Sequence, residues 1–207
     1  MTTLRTFAAL AEQLRGDTND SVRIVGIDGC GGAGKTTFAA RLAAHGDEWP
    51  VIHTDDFASH DEPVEWWPRM LRDVIEPLSN NNAATFHPYD WVRREFGTAT
   101  TIEPADVVIL EGVGATRRAW RDRLAMRIWI DAPRDVRLAR GIARDGEELR
   151  EFWHGWMADE DRYVAGEDPR SAADLVVDGD PTTPHGEDVF VVVSERQPGA
   201  APRAAPR

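Results

Sequence analysis

Apolar positions along the chain follow two rhythms. Short continuous apolar runs occur at Val22–Ile27, Pro50–His53, Asp106–Leu110, Met126–Ile130 and Ala173–Val177. Runs of this length without alternation predict strands buried on both faces. Between them the apolar residues recur at helical spacing. Leu4, Phe7, Ala8, Ala11 and Leu14 predict a helix over residues 3–15, and further helices are expected over Lys35–Ala44, Pro68–Leu78, Pro133–Arg144 and Glu147–Val164. Asp188–Val193 reads as an edge strand. Strands alternating with helices predict an α/β fold in which a parallel sheet is covered on both faces. Ala58–Pro104 fits neither rhythm beyond its one helix and reads as irregular, and QPGAAPRAAPR at residues 197–207 reads as a disordered tail.

In such sheets ligands sit at the carboxyl ends of the strands. Gly29, Asp55 and Glu111 each lie just past the end of a predicted strand, so three functional groups from separate segments converge on one edge. The first of these ends carries Gly29-Cys30-Gly31-Gly32-Ala33-Gly34-Lys35-Thr36, which fits G-x-x-x-x-G-K-[ST] between a strand and a helix. Glycines let successive backbone N–H groups curl toward phosphate oxygens, and the helix that follows adds its positive end. Thr37 continues the cradle; Lys35 is expected to reach the β- and γ-phosphates, and the Thr36 hydroxyl to ligate magnesium. Cys30 fills a free position of the loop, either as a small filler or as a thiol made reactive by the loop's positive field.

Composition sharpens this reading. The chain has 207 residues, 24 basic and 36 acidic, for a net charge of −12, which repels nucleic acid and anionic membranes. Lys35 is the sole lysine among the basic residues, so a compact ammonium is kept only in the cradle. There is no apolar run long enough to span a bilayer, and charges at Arg5, Glu12 and Arg15 interrupt any signal-peptide core, so a cytoplasmic location is expected. A single cysteine excludes an internal disulfide framework.

The other strand ends carry acids. Asp55 is a candidate base for an attacking hydroxyl, set against a solvated acidic turn with Asp56 and Asp61. Glu111 is a candidate magnesium-side acid. Arg137, Arg140 and Arg144 share one helical face. Two readings of that face stand together. In one, Arg140 or Arg144 stabilises a transferring phosphoryl group. In the other, the arginines pair with the acidic stretch at 145–174.

The segments GIDGCGGAGKTTFA, HTDDF, HPYDW, VVILEGV and RLARGIARD, in this order from Val22 to Val177, together resemble the uridine kinase-like branch of P-loop kinases. The resemblance implies a single P-loop domain over 1–196 with a three-layer fold and a five-stranded parallel sheet. It implies an acceptor-binding insertion near 58–104 and a mobile lid near 141–157 that closes over ATP. Asp55 then matches the carboxylate that takes the acceptor's proton, Tyr89 an aromatic contact to the acceptor base, Glu111 the magnesium-side acid and Arg144 a lid arginine. Asp61 and Arg94 join Asp55 and Tyr89 as candidate acceptor contacts. Arg93-Arg94 stands where the family carries a base-reading histidine, and Ala58 where an aromatic is common. The expected activity is transfer of the γ-phosphate of ATP, with Mg2+, to a hydroxyl of a nucleoside-like small molecule. A sugar phosphate or vitamin-like alcohol as acceptor, and a P-loop ATPase or switch, remain as alternatives. Trp66, Trp67 and Trp91 either line the acceptor pocket or pack the core, and self-association is left open.

Overall fold

The computed structural model describes residues 3–15, 21–47, 49–62 and 65–196. The expected tail at 197–207 lies outside them. Five parallel strands form the centre of the sheet: β2 (Arg23–Asp28), β3 (Val51–His53), β8 (Val107–Glu111), β9 (Leu124–Asp131) and β10 (Leu175–Asp178). Two antiparallel strands, β1 (Thr3–Thr6) and β11 (Val189–Glu195), extend one side, so the order is β1-β11-β10-β9-β2-β8-β3. The strand at Thr3–Thr6 corrects the helix expected from residue 3. Leu4 is exposed on the sheet edge, and α1 (Phe7–Arg15) starts only at Phe7. Four residues are too few for alternation to outvote a helical spacing that runs on through Leu14.

All of β8 is buried, and its residues alternate between the two layers. Val107 and Ile109 pack with Phe7, Leu10, Phe38 and Leu42 from α1 and α2 (Lys35–His45). Val108 and Leu110 pack with Trp66, Met70, Ile75, Leu78 and Trp120 on the opposite face. That second layer includes a helical run of α3 (Trp67–Met70), a wider π-helical turn (Leu71–Ile75) and α4 (Glu76–Ser79). Pro77 explains the widening, because it has no N–H to give to the Asp73 carbonyl four residues back. The segment expected to be irregular also holds two short antiparallel pairs, β4 (Ala84–Phe86) with β7 (Thr100–Ile102) and β5 (Tyr89–Asp90) with β6 (Glu95–Phe96). After β9 come α5 (Arg134–Asp145), a 3₁₀ turn (Glu147–Leu149), α6 (Arg150–Glu167) and α7 (Pro169–Ala172). Among the described residues no helix is long and apolar enough to cross a membrane.

Asp28, the last residue of β2, is fully buried. Its carboxylate accepts from Gly29 N (2.7 Å), Gly114 N (3.0 Å), Thr116 N (2.9 Å), Thr116 Oγ1 (2.8 Å) and the Tyr163 hydroxyl (2.6 Å). One side chain thereby joins the central strand, the Gly-rich loop, the turn after β8 and α6. In Asp28→Asn the amide group turns its own donors toward these donors and leaves buried N–H groups unsatisfied. We expect a stability loss of about 3 kcal/mol, read as a lower urea midpoint. A loss under about 1 kcal/mol would show that the donors find other partners.

Candidate active site

The Gly-rich loop leaves β2 at Gly29 and enters α2 at Lys35. Gly32 shows why side chains are excluded from its turns. Its φ is +76°, and a Cβ there would lie 2.5 Å from the Arg137 carbonyl oxygen, so α5 packs directly on the loop. Inside the curl, Ala33 N donates to Cys30 O at 3.1 Å, and Lys35 Nζ reaches the same carbonyl at 3.1 Å. Lys35 is buried, whereas Thr36 and Thr37 are open. The Cys30 thiol is not activated. Burial, aided by the neighbouring charge of Glu160, pushes its pKa up to about 12.

At the next strand ends, Glu111 joins the loop. Its Oε1 accepts from Thr36 Oγ1 at 3.1 Å and its Oε2 lies 2.6 Å from His53 Nδ1. An ionised carboxylate only accepts, so His53 Nδ1 carries the proton. Burial acts to raise the Glu111 pKa, but the His53 hydrogen bond, the Lys35 charge and the Thr36 hydroxyl outweigh it and hold the group below its ordinary range. His53 moves up, chiefly through the same hydrogen bond. Asp55 moves the other way from Glu111. Its carboxylate opens to solvent at the floor of a cleft, but the surrounding walls withhold enough water to raise its pKa, against the lowering pull of Lys35. The two acids at one sheet edge therefore shift in opposite directions: Glu111 is held as a charged acceptor, and Asp55 gains proton affinity relative to an ordinary aspartate.

The oxygen donors of Thr36 and Glu111 suit magnesium, which keeps several waters and takes one or two protein ligands beside phosphate oxygens. Among the described residues no three His, Cys, Asp or Glu side chains gather into a metal cage.

The cleft above Asp55 is lined by Ala58, Trp66, Val113, Arg117 and, from α6, Trp156, Asp159, Glu160 and Tyr163. Arg117 lies over the rings of Trp66 and Tyr163. Trp66 is thus both core and wall, while Trp67 packs against the second layer. Trp91 is part-exposed and donates its indole N–H to the Asp55 carbonyl at 3.3 Å. Tyr89 is buried under Trp91 and Phe96, with its hydroxyl 2.9 Å from His60 Nδ1. Asp61 is exposed, and Arg94 is exposed at the β5–β6 turn with φ +59°.

On the other side of the loop, a cavity of about 310 Å³ is bounded by Thr37, Arg41, Arg140, Gly179, Pro181 and His185, among others. Arg140 donates to Gly32 O (3.3 Å), Gly179 O (2.8 Å) and Asp180 (2.7 Å). Arg144 pairs with Asp145 and lies over Trp153, and its charge lowers the Asp55 pKa. Arg134 and Arg137 pair with Asp161 and Glu160 of the acidic stretch. The basic face therefore divides between ion pairs with the acidic stretch, the cavity beside Arg140 and the exposed Arg144–Asp145 pair.

Sequence reasoning did not single out Asp28, His53, Arg117, Glu160 or Tyr163. Asp28 carried a signal as the acid immediately before the first loop glycine, and His53 as the first residue of HTDDF. Residues 25–163 match the AAA domain family AAA_18, which takes in about two thirds of the chain. A uridine kinase from Halobacterium salinarum is 29% identical over 158 residues, covering 68% of this chain and 69% of that protein. A uridine kinase from Limosilactobacillus reuteri is 26% identical over 140 residues, covering 59% and 64%. The chain thus spans about two thirds of the length of these relatives. A structure described as a possible uridine kinase from Bacillus stearothermophilus superposes with a TM-score of 0.61 at 22% identity, over 82% of this chain and 96% of that one. A Silicibacter structure named provisionally as a fructose transport system kinase reaches 0.55 at 21% identity, covering 80% and 91%. Both show the shared P-loop fold. With a family match over most of its length and these relatives, the chain belongs to the AAA_18 family of AAA domains, in the uridine kinase-like branch of P-loop kinases.

Proposed function

We propose that the protein transfers the γ-phosphate of ATP to a hydroxyl of an uncharged, nucleoside-like acceptor. The observation that carries this reading is the Asp55 carboxylate. It sits open in the cleft with a raised pKa, at the sheet edge that also holds Lys35 and the Thr36–Glu111 pair. In this reading the acceptor hydroxyl attacks the γ-phosphorus while its proton passes to Asp55, and ADP leaves with the electron pair of the broken P–O bond. Magnesium, held from Thr36 and Glu111, supplies charge neutralisation on the phosphates. Lys35 and the loop amides bind and orient them. We assign the nucleotide base to the cavity beside Arg140 and Gly179, and the acceptor to the cleft walled by Trp66, Trp156 and Tyr163. Arg144, exposed beside Asp55, is the arginine we assign to the phosphoryl group, at the end of a lid over 141–157.

An acceptor that already carries phosphate is disfavoured by where the nearby arginines go. Arg69 donates to Phe57 O (2.6 Å) and Glu62 (3.2 Å), Arg72 grips Asp73 (2.6 Å) and Arg93 lies 3.7 Å from Asp90. Neither these nor Arg94 lines the cleft, and the arginine that does, Arg117, lies over the Trp66 and Tyr163 rings. The relatives' names as uridine kinases support a nucleoside. A bare ATPase has no use for a base facing an acceptor cleft.

Lys35→Ala should abolish turnover while circular dichroism remains that of the parent. Activity within a few-fold of the parent would remove Lys35 from the phosphate site. Asp55→Asn should lower kcat by about 10²–10⁴-fold with little change in nucleotide affinity. Because the carboxyl must be ionised to accept a proton, parental kcat should rise with pH through a midpoint above the ordinary aspartate range, and Asp55→Asn should lose that limb. An unchanged limb in the variant assigns it elsewhere. Arg144→Ala should reduce kcat more than it weakens ATP binding, because a contact made in the transition state acts on rate. Equal kcat in steady-state assays would return Arg144 to its Asp145 pair alone. ADP release measured across nucleosides, sugars and sugar phosphates identifies the acceptor, and a preference for sugar phosphates would overturn the uncharged-acceptor reading.

A further inference from the structure

Glu160 is almost fully buried, projects from α6, and ends inside the phosphate loop. Its Oε1 accepts from Gly31 N at 2.6 Å and from Trp156 Nε1 at 2.8 Å, and its Oε2 faces Arg137 Nη1 at 3.2 Å. A loop whose amides converge on anions thus already donates one of them to a carboxylate of its own chain. The same helix turn walls the acceptor cleft through Trp156, Asp159 and Tyr163. Tyr163, one turn further on, is fixed on Asp28.

We propose that Glu160 stands in for phosphate at Gly31. A polyphosphate that takes the Gly31 N–H displaces the carboxylate, frees Arg137 from its partner, and shifts the α6 wall of the acceptor cleft. This inference rests on the nucleotide reading of the loop. Two anions cannot share one N–H donor at contact distance, and their repulsion is poorly screened where water is scarce. Displacement therefore acts against nucleotide affinity. Because α6 contributes to both sites, the two bindings are linked, and each must alter the affinity for the other by the same factor. A purely structural brace predicts the opposite sign. Removing its charge would loosen the loop and weaken nucleotide binding.

The test uses the full chain, its Glu160→Gln variant, and a non-hydrolysable ATP analogue with magnesium. In the parent, amide hydrogen exchange should slow across the loop at residues 29–36 and quicken across α6, Arg150–Glu167, when the analogue is added. Glu160→Gln should bind the analogue about tenfold more tightly by equilibrium dialysis. A protected loop with α6 unchanged or slowed, or a folded variant that binds equally or more weakly, overturns the displacement while leaving the nucleotide site intact. If the variant does not fold, exchange in the parent decides alone. No protection of the loop in either protein removes the nucleotide reading, and this inference with it.

Discussion

A carboxylate sealed from water, such as Asp28, costs several kcal/mol unless donors surround it. Here four residues supply them, each from a part of the chain that must stop at a defined place: Gly29, Gly114, Thr116 and Tyr163. The parallel sheet alone fixes the direction of β2 and β8 but not how the loops beyond them meet. The buried charge adds that condition. It sets where the phosphate loop begins, draws the turn after β8 over the strand ends, and pins α6 across the cleft. The charge on Asp28 in turn raises the Tyr163 hydroxyl's pKa, with burial as the larger cause, so Tyr163 stays a donor.

With those loops fixed, the electrostatics of the edge follow from which acid has partners. Glu111 has a histidine, a hydroxyl and a nearby ammonium, and stays charged. Asp55 has walls but no hydrogen-bonding partner among the described contacts of its carboxylate, and its pKa rises. The His53–Glu111 pair also ties stability to pH. His53 has a raised folded pKa, so its contribution is complete below its unfolded value and fades as pH climbs through the folded one. Glu111 is depressed, so its contribution holds above its unfolded value and is lost as pH falls through the folded one. The pair is fully formed between the two, with His53 half-open to solvent and correspondingly screened.

The strands of the centre, and with them the convergence of three strand ends on one edge, were legible because buried parallel strands write themselves as unbroken apolar runs. The Gly-rich loop was legible because its backbone admits few other residues. β1 was not, since four residues at a sheet edge carry no alternation of their own and borrowed the period of α1. The hairpins β4–β7 and β5–β6 were not, because two or three residues per strand are set by partners rather than by pattern. Glu160 and Tyr163 lie far from Asp28 and Gly31 in sequence, and their importance arises only when folding brings Tyr163 to Asp28 and Glu160 to Gly31.

The arginines of α5 show why spacing alone left two readings standing. All occupy one basic helix, but the helix passes over the loop, so each turn meets a different neighbour. Arg137 faces the buried Glu160, where losing the partner would strand a charge. Arg134 meets Asp161 in the open, where the pair adds little. Arg140 is fixed on two carbonyls and Asp180 beside the larger cavity. Arg144 is mostly exposed, and its described contacts are its sequence neighbour Asp145 and the Trp153 ring, none of them a backbone carbonyl or a buried acid. A side chain that must reach a phosphoryl group late in a reaction has to be held this loosely. Arg137, by contrast, moves only if the buried Glu160 lets go of it. In the proposed reading, phosphoryl contact falls to the exposed Arg144 at one end of the helix, while Arg137 is buried on Glu160 two turns earlier.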